Sequence, residues 1–166
     1  EQEGTYRLPE AQVDRFMFKL IIDYPSITEE KSILQTSLNL DRIDPVINYN
    51  NIKSAQEIIE KIYCNEKIID YIVSITFATR SPELFKLNEI KKYILYGVSP
   101  RATLALHIAS RAHAFLKKRH FVTPDDVKTV ALPILRHRII LSYEAEADEI
   151  SSDEIIKKIL SNIDTP

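Results

Sequence analysis

Signals for the start of a helix recur along this chain, and they constrain its fold more than any other feature. Ser26, Ser54 and Ser151 each precede a glutamate by three residues, which is the capping-box pattern. Ser99 and Thr123 each precede a proline, which is typical of the first positions of a helix. Apolar residues follow each start at spacings of three and four, so the sequence predicts a bundle of about six helices.

The same spacing predicts which side of each helix faces the core, while two features predict where helices stop. Residues 41–53 are rich in Asp, Asn and Pro, which predicts a loop. Pro133 is expected to bend or end its helix. The residues expected to face inward are Ile33, Leu34, Ser37 and Leu38; Ile58, Ile59 and Ile62; Ile68, Ile69, Ile72, Val73 and Phe77; Leu104, Ile108, Ala112 and Phe115; Val127, Val130, Ala131 and Ile134; and Ile155, Ile156, Ile159 and Leu160.

Three stretches have the composition of strands. Residues 16–24, FMFKLIIDY, are apolar and prone to strand formation. A strand this apolar is expected to be buried, with neighbouring strands on both sides. Because no other strong strand lies nearby in the sequence, we expect the rest of its sheet to lie outside this chain. Residues 92–98 and 137–143 are shorter candidates that could pair as a ribbon. The predicted fold is mainly helical, with a two-stranded ribbon and a preceding strand fragment.

Composition excludes several kinds of site. The chain has two glycines, Gly4 and Gly97, whereas a P-loop needs several glycines close together, followed by Lys and Ser or Thr. The net charge of −2 disfavours a protein that binds nucleic acid through its whole surface. A lone cysteine, Cys64, excludes an internal disulfide and a cysteine-based zinc site, and a free thiol suits the cytosol. No apolar run approaches the ~20 residues of a membrane span. Because the only methionine is Met17, we expect the sequence to be a piece of a longer protein.

Arg101 breaks a rule that this chain otherwise follows. A helix N-terminus carries positive partial charge, which favours acids, and the starts at Thr123 and Ser151 do carry acids in the first turn. The start at Ser99 and Pro100 carries Arg101 instead. A helix start with a guanidinium can hold an anion such as phosphate. Alternatively, Arg101 points into solvent or pairs with a nearby glutamate.

Other candidate chemistries are weak. The four histidines, His107, His113, His120 and His137, lack the spacing of metal ligands, and the acids in residues 142–154 fit a solvated face with a helix cap better than a cation site. Two basic clusters, 117–120 and 136–138, leave open a helical interaction module that binds protein or nucleic acid and has no nucleotide role. The cluster at 117–120 has a second explanation, because cations are favourable at the C-terminal end of a helix.

Two stretches together resemble the MoxR group of AAA+ ATPases: EGTYRLPEAQVDRF at 3–16 and YGVSPRATLAL at 96–106. The resemblance continues through IDYIVSITFATR at 69–80 and FVTPDDVKTVALPILRHRIILSYEAEA at 121–147, in matching order. It implies that residues 1–25 end an α/β ATPase core, with 16–24 as its last strand, and that residues 26–166 form a helical lid. The Walker A and Walker B segments would lie upstream.

The resemblance also implies roles for particular residues. The family's G-x-S-P-R pattern places its sensor-2 arginine at Arg101, which would reach the γ-phosphate of ATP in its own subunit, with Ser99 and Pro100 near the phosphates. The L-D-R-F pattern places an arginine finger at Arg15, directed at the neighbouring subunit's nucleotide, and Asp14 is expected to hold that guanidinium. A valine, Val13, replaces the leucine of this pattern. Without the resemblance, Arg15 is simply a cation at the end of a short helix.

The implied function is that of a chaperone-like ATPase. The full-length protein would bind ATP and Mg²⁺ and assemble as a homo-oligomeric ring, expected to be a hexamer, in the cytoplasm. Proteins with von Willebrand A domains are possible partners, whereas nucleic acid is not expected. The fragment alone would be inactive as an ATPase and would bind no cofactor tightly, because it lacks the phosphate loop and the metal-binding acids.

Overall fold

The structure, a computed structural model, describes residues 8–35 and 44–166 and is mainly helical. The predicted mainly helical architecture with a two-stranded ribbon is confirmed. In chain order the helices are α1 (Glu10–Val13), α2 (Ile27–Gln35), α3 (Tyr49–Glu60), α4 (Glu66–Ala78), α5 (Asn88–Lys91), α6 (Pro100–Leu116), α7 (Pro124–Leu135), α8 (Tyr143–Ala147) and α9 (Ser152–Asn162), and the strands are β1 (Ile94–Tyr96) and β2 (Ile140–Leu141).

Most of the predicted helix starts are confirmed. The capping boxes at Ser26, Thr123 and Ser151 form, and the Ser99 side chain accepts the N–H of Arg101. The predicted start at Ser54 is wrong, because α3 begins at Tyr49. Its cap is Asn48, which exchanges side-chain hydrogen bonds with Asn51. Because Asn48 and Asn51 cap this helix start, α3 begins within the segment 41–53 that was predicted to be a loop.

Helix α6 lies at the centre of the fold. It packs most extensively against α7 and also contacts α3 and α4, while α9 packs on α7 and α4. The prediction that Leu104 and Ile108 face inward is wrong, because both are more than half exposed. The buried face of α6 is formed by small residues, which allow the neighbouring helices to approach closely: Ala102, Ala105, Ala109, Ser110 and Ala114, with Leu106.

The other predicted faces agree in part with the structure. The predicted faces of α7 and α9 are buried apart from Leu160, which is partly buried. In α4, Ile68 and Ile72 are buried but Ile69 and Phe77 are exposed, since Tyr71 and Ile75 fill the core instead. Ile33 and Leu34 of α2 are exposed; Ser37 and Leu38 lie outside the described residues. Helix α7 continues through Pro133 and ends two residues later at Leu135.

The predicted ribbon forms, but it is shorter than the two segments suggest. β1 and β2 are antiparallel, with Ile94 opposite Leu141 and Tyr96 opposite Ile140, and the register is irregular between these pairs. A hydrogen bond of 3.0 Å from the Ser142 amide to the Tyr93 carbonyl extends the contact. The ribbon leads directly into the start of α6.

Residues 16–24 form no strand in this structure, so the expectation that they join a sheet lying outside this chain stays a prediction. β1 and β2 form the one sheet among the described residues, and residues 16–24 are irregular. A strand needs a partner for its backbone groups, and no described residue pairs with this segment as a strand. Leu20, Ile21, Ile22 and Tyr24 are exposed. Only the beginning of the segment is attached to the helices, where the Lys19 amide donates to the Pro133 carbonyl at 2.8 Å.

Candidate functional site

The turn before α6 is fixed against the end of α4. The Val98 amide donates to the Thr79 hydroxyl at 3.0 Å, and Arg80 Nε donates to the Val98 carbonyl at 2.7 Å. Gly97 allows this approach, since a Cβ at this position would lie 2.4 Å from the Thr79 carbonyl oxygen. The start of α6 therefore has a defined position relative to α4.

Arg101 lies at this start with its guanidinium open to solvent. Its side chain is 63% exposed, and its nearest described acid is Asp14, with Arg101 Nη1 at 3.4 Å from Asp14 Oδ2. An exposed ion pair of this kind typically contributes only about 0–1 kcal/mol. Arg101 is thus paired with a carboxylate, although with an aspartate rather than the glutamate that we considered. The weak contact leaves the guanidinium able to bind another anion.

Asp14 joins three side chains that are distant in the sequence. Its Oδ2 accepts a hydrogen bond from the Ser99 hydroxyl at 2.9 Å, and its Oδ1 accepts one from Arg138 Nε at 3.1 Å. The expectation that Asp14 holds the Arg15 guanidinium is wrong. Arg15 instead lies beside the Phe16 ring, 5.5 Å from its centroid. The carboxylate is directed at the start of α6 and the end of α7, because Ser99 and Arg138 supply partly buried or buried donors there.

Arg15 and Arg101 line the same open groove. Its volume is about 300 Å³, and its lining residues are Asp14, Arg15, Met17, Arg101, Leu104, Ala105, Ile108 and Arg138. Three arginines and one aspartate contribute to it, so its formal charge is positive. Leu104 and Ile108, which we expected in the core, form an apolar wall instead. The groove therefore combines a cationic end with an apolar side and suits an anion better than a cation.

A larger cavity of about 570 Å³ lies between α5 and α9. Its floor is apolar, with Ile90 and Ile155, while its rim carries Lys92 and Lys158 together with acids. Both lysines are already paired, with Lys158 Nζ 3.0 Å from Glu89 Oε1 and Lys92 Nζ 3.1 Å from Asp148 Oδ2. Charges of both signs do not select a ligand, so this cavity is the weaker candidate despite its size.

Sequence reasoning missed a buried ionic cluster around Asp126, which has no exposed surface. Its carboxylate binds Arg119 at 2.5 and 2.8 Å, His113 Nδ1 at 2.6 Å, and both the amide and the hydroxyl of Thr123. Burial alone would raise the pKa of Asp126, but the hydrogen bonds from Arg119, Thr123 and His113 outweigh it and hold that pKa well below its usual range. The cluster joins the end of α6 to the start of α7.

The basic run 136–138 is used inside the protein. Arg136 makes a bidentate contact with Asp153, at 3.1 and 2.9 Å, and the His137 ring lies 3.0 Å from the Phe16 carbonyl oxygen. Arg138 is buried and binds Asp14. Arg119 of the other basic cluster is bound to Asp126. These pairings remove much of the positive surface on which the interaction-module alternative depended, and the spacing of the residues gave no signal of them.

Within residues 8–35 and 44–166, no group of three or more His, Cys, Asp or Glu side chains is placed to hold a metal ion. The same residues contain no helix that is long and apolar enough to cross a membrane.

Known proteins match this architecture closely. The family model described as the AAA lid domain matches residues 88–159. The crystal structure of a "putative ATPase" from Cytophaga hutchinsonii superposes with a TM-score of 0.94 at 41% identity, over all of this chain and 51% of that one. Chaperone MoxR1 of Mycobacterium tuberculosis is 38% identical over 167 residues, which cover all of this chain and 44% of that protein. The chain belongs to the MoxR-like AAA+ ATPases.

Other relatives agree with this membership. Protein YeaC of Bacillus subtilis, which is uncharacterized, is 37% identical over all of this chain and 50% of its own length. Protein MoxR of Paracoccus denitrificans is 29% identical over 90% of this chain and 49% of its own length. The MoxR-like chain thus spans about half the length of the curated relatives that it matches, and it includes the AAA lid.

Proposed function

We propose that this chain is the lid portion of a MoxR-type ATPase and that Arg101 is its sensor-2 residue, contacting the phosphates of ATP held by the same subunit. Arg15 would be the arginine finger directed at the neighbouring subunit's nucleotide. The observation that carries the proposal is the exposed guanidinium of Arg101 at the capped start of α6, in a groove lined by three arginines and one aspartate.

The residues of this groove fit a phosphate group. A planar guanidinium can bind two phosphate oxygens at once, and the free N–H groups at the start of a helix favour an anion. Ser99 and Pro100 would lie close to the phosphates, because they form the first turn of α6. Arg101 would have to exchange only its long, exposed contact with Asp14.

The rest of the protein would supply the phosphate loop and the acids that hold Mg²⁺, so ATP and Mg²⁺ are cofactors of the full-length protein and not of this chain alone. Phosphoryl transfer depends mainly on positioning and on stabilising negative charge, and both arginines would provide that stabilisation. We expect this chain alone to have no ATPase activity. Residues 1–25 would complete the core and residues 26–166 would form the lid.

At the level of the assembly, we propose a cytoplasmic homo-oligomeric ring, with a hexamer as the expected form. Nucleotide binding and hydrolysis would move the lid relative to the core and so change the contacts between subunits. A chaperone-like remodelling role, with von Willebrand A-domain proteins as partners, is the corresponding function of the whole.

A second assignment of the arginines is favoured by one observation. Arg15 and Arg101 line one groove of about 300 Å³ in a single chain, so both could serve the same nucleotide. In that case the two guanidiniums would act together, either within a subunit or between subunits.

Mixed assemblies of the full-length protein distinguish these assignments. Arg15→Ala and Arg101→Ala should each lower ATP hydrolysis on the order of 10²-fold or more, with unchanged unfolding temperature, since neither side chain is in the core. Each variant is then mixed with subunits that lack only the Walker lysine and therefore still carry both arginines. If Arg15 acts between subunits and Arg101 within one, the Arg15→Ala mixture recovers activity and the Arg101→Ala mixture does not.

Recovery in both mixtures would support the shared groove between subunits instead. Recovery in neither, with co-assembly confirmed by size and composition, would mean that both arginines act within one subunit. Variants that hydrolyse ATP at the unmodified rate would contradict the phosphate role altogether.

A further inference from the structure

The segment that carries Arg15 is attached to the lid by one buried side chain. Arg138 Nε donates to Asp14 Oδ1 at 3.1 Å, and its Nη2 donates to the Asp14 and Phe16 carbonyl oxygens at 3.0 and 2.6 Å. Its Nη1 donates to the Met17 carbonyl at 3.2 Å and to the Ile134 carbonyl near the end of α7. Arg138 thus bridges α7 and residues 14–17.

These contacts use the whole donor capacity of the guanidinium. An arginine has five N–H donors, and each has an acceptor here. The side chain is only 2% exposed, so water cannot easily replace a missing partner. Lysine offers three donors from one nitrogen and could not reach the same set of acceptors. The geometry of this site therefore depends specifically on arginine.

Arg15 lies between residues that Arg138 holds on both sides. Its own side chain is exposed and lies beside the neighbouring Phe16 ring. The other oxygen of Asp14 accepts from Ser99, the cap of the helix that carries Arg101. The same carboxylate thus ties the backbone at Arg15 to the start of α6.

We propose that Asp14 and Arg138 are positioning residues for Arg15, setting where its guanidinium projects relative to the lid. We call this pair the clamp. The proposal rests on the function proposed for Arg15, and it adds that the lid of a subunit determines the placement of that subunit's own finger. A movement of α6 or α7 would then be transmitted to the adjoining site through Asp14 and Arg138.

A local structural test needs no activity. The Lys19 amide donates to the Pro133 carbonyl just beyond the clamped residues, so its hydrogen exchange reports on the attachment. In the full-length protein, Asp14→Ala and Arg138→Lys should accelerate exchange of peptides covering residues 14–20 several-fold and leave α9 unchanged. The matched control is Asp148→Ala, because Asp148 binds Lys92 and Tyr93 and neither of these touches the clamp. Unchanged exchange in both clamp variants would overturn the proposal.

A kinetic cycle then tests whether the clamp acts through Arg15. Displacing a catalytic group by about 1 Å can cost up to about 10²-fold in rate, so Asp14→Ala should lower kcat by roughly 10- to 100-fold. In Arg15→Ala, the further change Asp14→Ala should have almost no effect, because there is no finger left to position. In Arg101→Ala, the further change Asp14→Ala should still lower kcat by roughly 10- to 100-fold, as it does in the unmodified protein.

The two proposals fail in different ways. If Arg15→Ala alone hydrolyses ATP normally, the finger assignment is wrong. If Arg15→Ala lowers the rate as expected, but Asp14→Ala lowers it by the same factor in the Arg15→Ala variant as in the unmodified protein, the clamp does not act through Arg15. Asp148→Ala should hydrolyse ATP at the unmodified rate. A lower rate in Asp148→Ala would indicate a general effect of removing surface carboxylates.

Discussion

The charge of Asp126 holds together the buried cluster around it. It is fully buried, and Arg119, His113 and Thr123 all donate to it. Asp126→Asn would leave Arg119 without its counter-charge, and breaking such a buried pair typically costs about 3–5 kcal/mol. We expect this loss in the free energy of unfolding measured by chemical denaturation at pH 7. Asp125→Asn is the matched control, since Asp125 is exposed in the same helical turn and should change stability by less than about 1 kcal/mol.

The lowered pKa of Asp126 determines the direction in which pH changes the free energy of unfolding. The carboxylate stays ionised in the folded chain below the pH at which an unfolded aspartate takes up its proton. Its contribution is therefore complete above about pH 4 and declines as the pH falls further. Asp126→Asn should be less sensitive to acid over that range than the unmodified chain, and an equal acid sensitivity would contradict the role assigned to the cluster.

At the scale of elements, the end of α6 contains a strained position. Lys118 has φ of 58°, in the left-handed region, where the chain reverses so that the Arg119 amide can donate to the Ala114 carbonyl. A residue with a Cβ is disfavoured there by about 1–2 kcal/mol, whereas glycine is not. We expect Lys118→Gly to raise the free energy of unfolding by roughly 0.5–1 kcal/mol after the larger chain entropy of glycine is included.

Lys117 provides the comparison for this prediction, because it precedes Lys118 and has φ of −84°. Lys117→Gly should lower stability by about 0.5–1 kcal/mol, since glycine there brings flexibility without relieving strain. Chemical denaturation of both variants gives the two signs, and stabilisation by both would show that removing positive charge matters more than backbone conformation.

The elements also show what local patterns can and cannot predict. Most serine and threonine caps were predictable, because they act over three residues of sequence, and Ser54 is the exception. The buried face of α6 was not, because Leu104 and Ile108 are larger apolar residues than the alanines that actually pack. Spacing identifies an amphipathic helix, whereas the choice between two apolar faces depends on how closely α4 and α7 approach.

At the scale of the whole molecule, long-range contacts assemble the site, and these were the least predictable part. Arg101 and Arg15 were identified from short motifs, but their arrangement depends on Arg138, more than 120 residues from Asp14. The run 136–138 gave only a charge signal, with no indication that His137 and Arg138 contact residues among the first 20. Residues 16–24 form no strand here for a related reason, since their composition indicates a strand but no partner strand is present among the described residues.

Two partly buried histidines, His107 and His137, should make the free energy of unfolding of the chain depend on pH. Burial lowers the pKa of His107, as does the nearby Arg111. Burial also lowers the pKa of His137, and the Phe16 carbonyl opposes this only in part. The unfolded chain therefore takes up these protons at higher pH than the folded chain, so the free energy of unfolding should fall as the pH drops through about 6.5.

Denaturation curves at pH 5 to 8 measure this slope. His137→Gln should reduce it, because the side chain no longer titrates and its amide can still donate to the Phe16 carbonyl. His120→Gln is the control, since His120 is exposed. An identical slope in the unmodified chain and in His137→Gln would contradict the assignment.

One small feature bears on how this lid can change in evolution. Tyr63 and Phe121 form an isolated parallel bridge, in which the Tyr63 amide donates to the His120 carbonyl and the Val122 amide donates to the Tyr63 carbonyl. Surface connections ordinarily accept insertions and deletions. Here the connection before α4 and the one before α7 are held in register, so a length change in either would break the bridge. Natural variation in length should therefore accumulate in other connections of the lid.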